Sequence, residues 1–150
     1  MIKRIYMDTS VIGGVFDDEF SHHSKLLFSE FKKGLYIPVV SEVTLIELEG
    51  APPEVRAHLK SYEDLIEHIP VTEEASDLAK YYVFEGKMPF SQRTDALHIA
   101  IATVNKIDIL ASWNFAHIVN LNKIVLYNAV NMKNGYPTIE IRNPRELIHE

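Results

Sequence analysis

Three acidic residues stand beside or inside apolar runs of the sequence. They are Asp8 after residues 5–7, Glu47 within residues 43–48, and Asp95 before residues 96–102. A buried carboxylate requires a partner, and no single Lys or Arg could neutralise three of them. A hard divalent cation binds oxygen ligands and would satisfy all three if the fold brings them together. The sequence therefore predicts a metal site held by Asp8, Glu47 and Asp95.

Each carboxylate also has an ordinary structural interpretation. Asp95 would be favoured in the first turn of a helix, and Asp8 could cap the helix that follows its strand. Glu47 could form half of a buried pair with Arg93 or a Lys. Taken singly, these interpretations are the stronger ones. Three inward carboxylates in a chain with only 21 acidic residues favour a joint site instead.

Two hydroxyls and one guanidinium are candidates for substrate binding. Thr9 and Ser10 follow Asp8 and could hydrogen-bond a phosphate or a metal-bound water, or equally could cap a helix. Arg93 could clamp a phosphate in bidentate fashion, or could be a surface residue that pairs with Asp95. Both alternatives stay open for each of these residues.

The histidines give a weaker signal. His98 lies one turn after Asp95 and could be a ligand or a base, although a single histidine in an apolar helix is more often a core residue. His117 and the pair at residues 22–23 lack the spacing to a second ligand that is typical of zinc sites.

The candidate residues must be positioned by alternating strands and helices. Buried strands are predicted at residues 2–8, 36–40, 68–71, 107–111 and 124–127. Helices are predicted at residues 21–33, 41–48, 53–67, from Thr72 to a break at 86–89, and at 91–105. Pro38 suggests that the second strand is imperfect or edge-like. This alternation implies a mostly parallel sheet with helices on both faces.

Ligands of such a sheet bind beyond the carboxyl ends of the strands, where the strand order reverses. Asp8 ends the first predicted strand, and Asn114 lies just past the strand at residues 107–111. If these two strands are neighbours, both side chains face the same crevice.

Helical geometry predicts where the other two carboxylates point. Glu47 lies about 140° around the helix from Glu42 and about 200° from Glu49, which mark a solvated face. Asp95 shares a face with Ile99 one turn later. Both carboxylates are therefore expected to point inward.

Composition limits the protein class. A chain of 150 residues with 47% hydrophobic and 24% charged residues predicts one globular domain spanning residues 1–150. No apolar run of about 18 residues and no cleavable apolar leader are visible, so we expect a cytoplasmic protein without a membrane segment. Zero cysteines leave oxygen and imidazole as metal ligands.

The net charge of −6 argues against a nucleic-acid binder that works by broad phosphate neutralisation. It does not exclude nucleic acid as a substrate. A bound divalent ion would reverse the sign of the charge in the predicted site.

Four segments in a fixed order carry a resemblance to a known family. They are residues 8–10 (Asp-Thr-Ser), 41–48 with Glu47, 93–100 with Asp95, and Trp113-Asn114-Phe115 with His117. Together they resemble a PIN-domain protein of the bacterial VapC toxin type, over nearly the whole chain. The resemblance implies a single PIN-like domain with a three-layer α/β/α fold and a mostly parallel five-stranded sheet of order 3-2-1-4-5.

The same resemblance implies the site residues. Asp8, Glu47 and Asp95 would be catalytic metal ligands, and the family's fourth acidic position falls at Asn114. Asn114 is the main departure, because a neutral carbonyl oxygen removes one negative charge and should hold a second cation less well.

The implied activity is that of an endoribonuclease dependent on Mg²⁺, with Mn²⁺ as a substitute. The ion would polarise a phosphoryl oxygen of RNA and activate a water for in-line attack. By resemblance the protein would be the toxin of a type II toxin-antitoxin pair, a homodimer silenced by a small antitoxin. Exposed aromatics at Tyr81, Tyr82 and Phe84 could serve dimerisation or could belong to the core.

Two other classes of function were weighed against this one. A PIN-like module with an impaired site could bind RNA or a protein without cutting, and Asn114 supports that alternative. A phosphatase using Asp8 as a nucleophile normally requires a second acid two residues later, where this chain has Ser10.

Overall fold

The structure, a computed structural model, describes residues 1–149, and within them five strands form one sheet. The strands are β1 (Lys3–Met7), β2 (Tyr36–Ser41), β3 (Glu67–Ile69), β4 (Ile109–Ala111) and β5 (Glu140–Arg142). Their order is β3-β2-β1-β4-β5, and every neighbouring pair is parallel. The predicted strand order is confirmed.

Helices cover both faces of this sheet. They are α1 (Thr9–Gly13), α2 (Ser21–Lys32), α3 (Glu42–Glu49), α4 (Pro53–Lys60), α5 (Glu73–Phe84), α6 (Arg93–Val104) and α7 (Leu121–Lys133). The core under α5, α6 and α7 is separate from the core that α1, α2 and α4 share on the other face. The predicted three-layer α/β/α arrangement is confirmed.

The central strand shows why the sheet is buried on both faces. Ile5 and Met7 pack into the core beside α2, whereas Tyr6 between them packs into the core beside α6. Successive side chains of a strand point to opposite faces, so a strand covered on both sides has no polar position. The run Ile5-Tyr6-Met7 is therefore apolar throughout, and the chain meets its first carboxylate only where β1 ends.

The strand predicted at residues 124–127 is wrong, because this segment lies inside α7. The helix begins at Asn120, whose side chain accepts a hydrogen bond from the Lys123 backbone N–H. Tyr127 and Val130, three residues apart, face the core. A short apolar run does not distinguish a strand from one buried turn of a helix. The asparagine cap at residue 120 favours the helix here.

The fifth strand is instead β5, with the sequence Glu-Ile-Arg. Only Ile141 of this strand is buried. It pairs with β4 at the edge of the sheet, where one buried side chain is enough to fix the register. A three-residue strand with two charged residues carries almost no sequence signal, which explains why it was not predicted.

Two smaller expectations are also revised. The helix predicted to extend to about residue 67 ends at Lys60, before a 3-10 turn at Glu63–Leu65 and strand β3. Strand β2 lies between β1 and β3 and is therefore not an edge strand. Because β3 pairs only with Val39–Ser41, Pro38 lies opposite a residue of β1 alone. Pro38 therefore causes no loss of a hydrogen bond to β3. No helix within residues 1–149 is long and apolar enough to cross a membrane.

Candidate functional site

The site lies at the carboxyl ends of β1 and β4, the two central neighbours of the sheet. Met7 pairs with Ala111, so Asp8 and Ser112 leave the sheet side by side. From this point β1 continues into α1 on one face, while the chain after β4 leads to α7 on the other. In parallel sheets a ligand crevice forms where the connections diverge in this way. The predicted site residues Asp8 and Asn114 therefore lie at the position in the strand order where such a crevice is expected.

Asp8 is the most buried of the three carboxylates, with 5% of its surface exposed. Its Oδ1 accepts hydrogen bonds from Ser10 Oγ at 2.6 Å and from the Val11 backbone N–H at 3.3 Å. Its Oδ2 accepts from Ser112 Oγ at 2.5 Å. Burial raises the pKa of Asp8, and the charge of His98 and the bonds from both serines oppose that rise. Hydroxyls therefore stabilise this carboxylate without cancelling its charge.

The two serines also fix the loop after β4. Ser10 Oγ accepts from the Trp113 backbone N–H at 2.9 Å, and Ser112 Oγ accepts from the Asn114 N–H at 2.9 Å. The sequence prediction did not include Ser112 in the site. The signal for it was a hydroxyl directly after a buried strand that ends beside the strand of Asp8.

Glu47 on α3 points toward α6, but 37% of its side chain is exposed, more than the expected inward position implied. Its Oε1 accepts from Thr9 Oγ1 at 2.8 Å and lies 2.5 Å from His98 Nε2. Burial works to raise the pKa of Glu47, but the hydrogen bonds from His98 and Thr9 and the charge of His98 outweigh it and hold that pKa below its ordinary value. The partner of Glu47 is thus a histidine, not the Arg93 or Lys considered from the sequence.

His98 connects Glu47 to the interior of the protein. Only 2% of it is exposed, and its Nδ1 lies 2.6 Å from the Tyr6 hydroxyl. That hydroxyl lies 2.7 Å from Ser41 Oγ. His98 is therefore a core residue whose two ring nitrogens both have hydrogen-bond partners, the structural alternative considered from the sequence. A role as ligand or base stays a prediction.

Asp95 lies in the first turn of α6 and is half-buried. Burial raises its pKa, and the charges of Asp8 and Glu47 raise it further, while His117 and His98 act in the opposite direction. Asp95 therefore lies within electrostatic reach of both Asp8 and Glu47. A cation bound among them would relieve the repulsion that these two carboxylates exert on Asp95.

Asn114 is half-buried at the start of the loop after β4. Its Oδ1 accepts a hydrogen bond from the His117 backbone N–H at 2.9 Å. The amide oxygen thus already has one structural bond, and it has a second lone pair.

Arg93 is the one candidate that the structure places on a different side of α6. Its guanidinium lies 4.4 Å from the Phe90 ring centroid and donates to the Phe90 carbonyl at 3.3 Å. Arg93 and Asp95 are separated by about 200° around the helix. Thr9 and Ser10, in contrast, bond directly to Glu47 and Asp8.

The donor set agrees with a hard divalent cation in its chemistry. All three carboxylates offer oxygen, and none of them has a Lys or Arg partner among the ion pairs of residues 1–149. The side chains do not form a finished cage, because in the same residues no three Asp, Glu or His groups are close enough to hold one ion.

No family model and no curated protein matches the sequence at a significant level. Solved structures do match its fold. A chain of the VapBC2 structure from Rickettsia felis, solved with a promoter DNA fragment, has a TM-score of 0.59 at 11% identity and covers 93% of this chain and 98% of its own. The FitAcB structure from Neisseria gonorrhoeae gives 0.59 at 15% identity, with coverages of 95% and 99%.

A third similar structure is VapC20 of Mycobacterium tuberculosis, described as a toxin that cleaves the sarcin-ricin loop. Its TM-score is 0.55 at 16% identity, with 75% of this chain and 91% of VapC20 covered. At these identities the likeness establishes the fold. The chain has the PIN-like α/β/α fold that occurs in VapC and Fit toxin-antitoxin structures.

Proposed function

We propose that this chain is a metal-dependent endoribonuclease of the VapC-type PIN-domain family and the toxin of a toxin-antitoxin pair. The observation that supports this most directly is the group formed by Asp95 with Asp8 and Glu47, because the charges of Asp8 and Glu47 act to raise the pKa of Asp95. Such a group is unfavourable without a cation. The fold likeness to VapC20, a toxin that cleaves RNA at the sarcin-ricin loop, supports the substrate class.

In this proposal Asp8, Glu47 and Asp95 would hold Mg²⁺, with Mn²⁺ as a substitute. The bound ion would supply Lewis acidity toward a phosphoryl oxygen and a water of lowered pKa. Asn114 would contribute a neutral oxygen beside the three acids, so a single ion is the expected stoichiometry.

Neighbouring side chains favour the ionised forms of two of the three carboxylates. Ser10 and Ser112 hydrogen-bond Asp8 and favour its ionised form despite burial. Thr9 and His98 do the same for Glu47. Arg93 is exposed at the start of α6, where it would bind a phosphate of the RNA away from the scissile one.

The proposed partners follow from the same site. An antitoxin segment with basic residues would be attracted to the acidic crevice. For the homodimer, Tyr82 is buried in the core, whereas Tyr81 and Phe84 are 43% and 78% exposed. A groove of about 230 Å³ lies beside Phe84 and is lined by Phe90 and Leu97. We place the dimer contact on this apolar surface of α5.

The alternative is a PIN-like module that binds RNA or a protein without cutting. It is favoured by Asn114 in place of a fourth acid and by the absence, within residues 1–149, of a finished three-ligand cage. It predicts RNA binding that does not depend on Asp95.

One experiment separates the two. The pure protein is incubated with a mixed RNA pool and Mg²⁺ or Mn²⁺, with EDTA and Asp95→Asn as negative controls. Asp77→Asn is the matched control, because Asp77 is an exposed aspartate on α5. Discrete products that vanish with EDTA and Asp95→Asn, but persist with Asp77→Asn, support the nuclease. RNA binding without cleavage in either metal supports the regulatory module.

A further inference from the structure

A buried chain of hydrogen-bonding groups runs from the core to one candidate ligand. Ser41 Oγ lies 2.7 Å from the Tyr6 hydroxyl, Tyr6 lies 2.6 Å from His98 Nδ1, and His98 Nε2 lies 2.5 Å from Glu47 Oε1. Ser41, Tyr6 and His98 are each at most 2% exposed. These groups come from β1, β2 and α6, and Glu47 belongs to α3.

The chemistry of Glu47 sets the direction of the last bond in this chain. Ionised Glu47 can only accept, so His98 donates from Nε2. The Tyr6 hydroxyl, 2.6 Å from His98 Nδ1, can donate to a neutral imidazole or accept from a protonated one. The Tyr6 hydroxyl and Ser41 Oγ can each serve as donor or acceptor, so every polar atom of the chain has a partner in either form.

Glu47 is held by only one of its two oxygens. Oε1 accepts from both His98 and Thr9, whereas none of the hydrogen bonds within residues 1–149 goes to Oε2. A carboxylate fixed through one oxygen presents the other in a defined direction. Metal-binding side chains are commonly oriented in this way, by a hydrogen-bond partner on the side away from the ion.

We propose that Tyr6 and His98 are positioning residues that hold Glu47 Oε2 toward a divalent cation in the crevice. The proposal rests on the proposed function, because it assumes that Glu47 is a ligand. It gives a role to Tyr6 and His98, which would not contact the cation themselves. It also opposes a second possibility, in which His98 competes with the cation for Glu47 and holds the ligand away.

The two possibilities predict opposite changes in metal affinity. The probe is Mn²⁺ alone, with its free concentration followed by electron paramagnetic resonance, so no enzymatic activity is needed. If His98 orients Glu47, His98→Leu weakens Mn²⁺ binding about 10-fold or more. His98→Gln keeps an N–H donor near the position of Nε2 and should bind Mn²⁺ more tightly than His98→Leu does.

Tyr6→Phe tests the contact between the Tyr6 hydroxyl and His98, and Tyr82→Phe is its matched control. Tyr82 is also fully buried, and its hydroxyl bonds Asn131 and Thr103 away from the crevice, so Tyr82→Phe removes a comparable group. Both variants should lose similar stability, but only Tyr6→Phe should weaken Mn²⁺ binding. The ¹⁵N shift of His98 Nδ1 should change in Tyr6→Phe, where this nitrogen loses its hydrogen-bond partner, and should stay unchanged in Tyr82→Phe.

The outcomes separate the two levels of the proposal. If the unmodified protein binds Mn²⁺ and His98→Leu binds it equally or more tightly, the positioning role is overturned while the metal site stands. If Tyr6→Phe and Tyr82→Phe bind Mn²⁺ alike, Tyr6 has no part in it. If the unmodified protein binds no Mn²⁺ at all, the proposed function fails and the positioning role fails with it.

Discussion

Ser112 Oγ donates a hydrogen bond to Asp8 Oδ2 at 2.5 Å and joins residues that lie 104 positions apart in the chain. The bond connects the first residue after β1 to the first residue after β4. Because the donor is neutral, it stabilises the carboxylate and leaves its negative charge in place. A Lys or Arg at this position would have cancelled the charge that a cation needs.

Replacing Ser112 by Ala should therefore destabilise the metal-free protein. A hydrogen bond to a charged group contributes about 2 kcal/mol, and Asp8 would lose one of its three donors. The free energy of unfolding, measured in urea at neutral pH, should fall by about that amount.

The pH dependence distinguishes this cause from a general packing defect. The bond from Ser112 holds the pKa of Asp8 down against burial, so its contribution is present where Asp8 is ionised. The difference between Ser112→Ala and the unmodified protein should shrink as the pH falls through the pKa of Asp8. A difference that stays constant with pH would mean that the serine acts through packing or through its bond from the Asn114 N–H, and not through Asp8.

The positions of the carboxylates could be predicted because each one interrupts an apolar pattern. Asp8 ends a strand that is buried on both faces, and Asp95 begins a helix that is nearly all apolar. In contrast, Tyr6 looks like an ordinary strand residue and Ser112 like an ordinary residue after a strand, and their roles depend on which strands become neighbours. The sequence alone does not show which strands will be neighbours in the sheet.

The same limit explains the error at residues 124–127. The apolar run was visible, but its structure depended on a cap at Asn120 and on whether β5 completed the sheet. Strand β5 has one buried side chain, so its pairing with β4 comes from tertiary contact and not from local propensity.

Asp95→Asn should stabilise the metal-free protein. The pKa of Asp95 is raised in the folded state by burial and by the charges of Asp8 and Glu47. A raised pKa means that the stability from this group is complete below its ordinary pKa of 3.8 and is lost as the pH rises through the folded value. At neutral pH the ionised side chain is unfavourable, and Asn removes that charge.

The melting temperature in EDTA measures this effect. Asp95→Asn should melt above the unmodified protein near neutral pH, and the difference should narrow in acid. Excess Mn²⁺ should reverse the order, because only the intact site gains stability from the ion. Asp77→Asn, at an exposed position, should follow the unmodified protein under every condition. An unchanged order in Mn²⁺ would argue against Asp95 as a ligand.

Gly14 and Gly13 form a matched pair beside the single tryptophan of the chain. A Cβ on Gly14 would lie 2.7 Å from Ser24 Oγ and 2.9 Å from Trp113 Nε1, whereas a Cβ on Gly13 would meet nothing within 4 Å. Gly14→Ala should destabilise the protein by about 1–3 kcal/mol through overpacking. Gly13→Ala should stabilise it by about 0.5–1 kcal/mol, because Gly13 is helical and the unfolded chain loses entropy.

Tryptophan fluorescence should separate these two variants as clearly as stability does. Trp113 donates to Ser24 Oγ at 2.9 Å, and its backbone N–H bonds Ser10 in the site. Gly14→Ala should shift the emission and weaken Mn²⁺ binding, while Gly13→Ala should change neither. Equal spectra for both variants would show that Trp113 adapts without moving the loop.

Asn114→Asp should strengthen cation binding without disturbing the loop. The side-chain Oδ1 of Asn114 accepts from the His117 backbone N–H, and an aspartate keeps that acceptor. The backbone N–H of Asn114 bonds Ser112 Oγ, which in turn donates to Asp8. A carboxylate at position 114 is therefore expected to add to the negative charge near Asp8 and to raise the attraction for Mn²⁺.

Calorimetric titration with Mn²⁺ measures this change directly. Asn114→Asp should bind Mn²⁺ more tightly or take up a second ion, and its melting temperature in EDTA should fall because a fourth negative charge joins the group. Asn114→Ala is the control for the loop, since it removes the side-chain bond to the His117 N–H and should reduce stability by about 1 kcal/mol without raising affinity. If Asn114→Asp binds Mn²⁺ no better than the unmodified protein does, position 114 lies outside the cation site, and Asn114 then serves only the turn that leads from β4 toward α7.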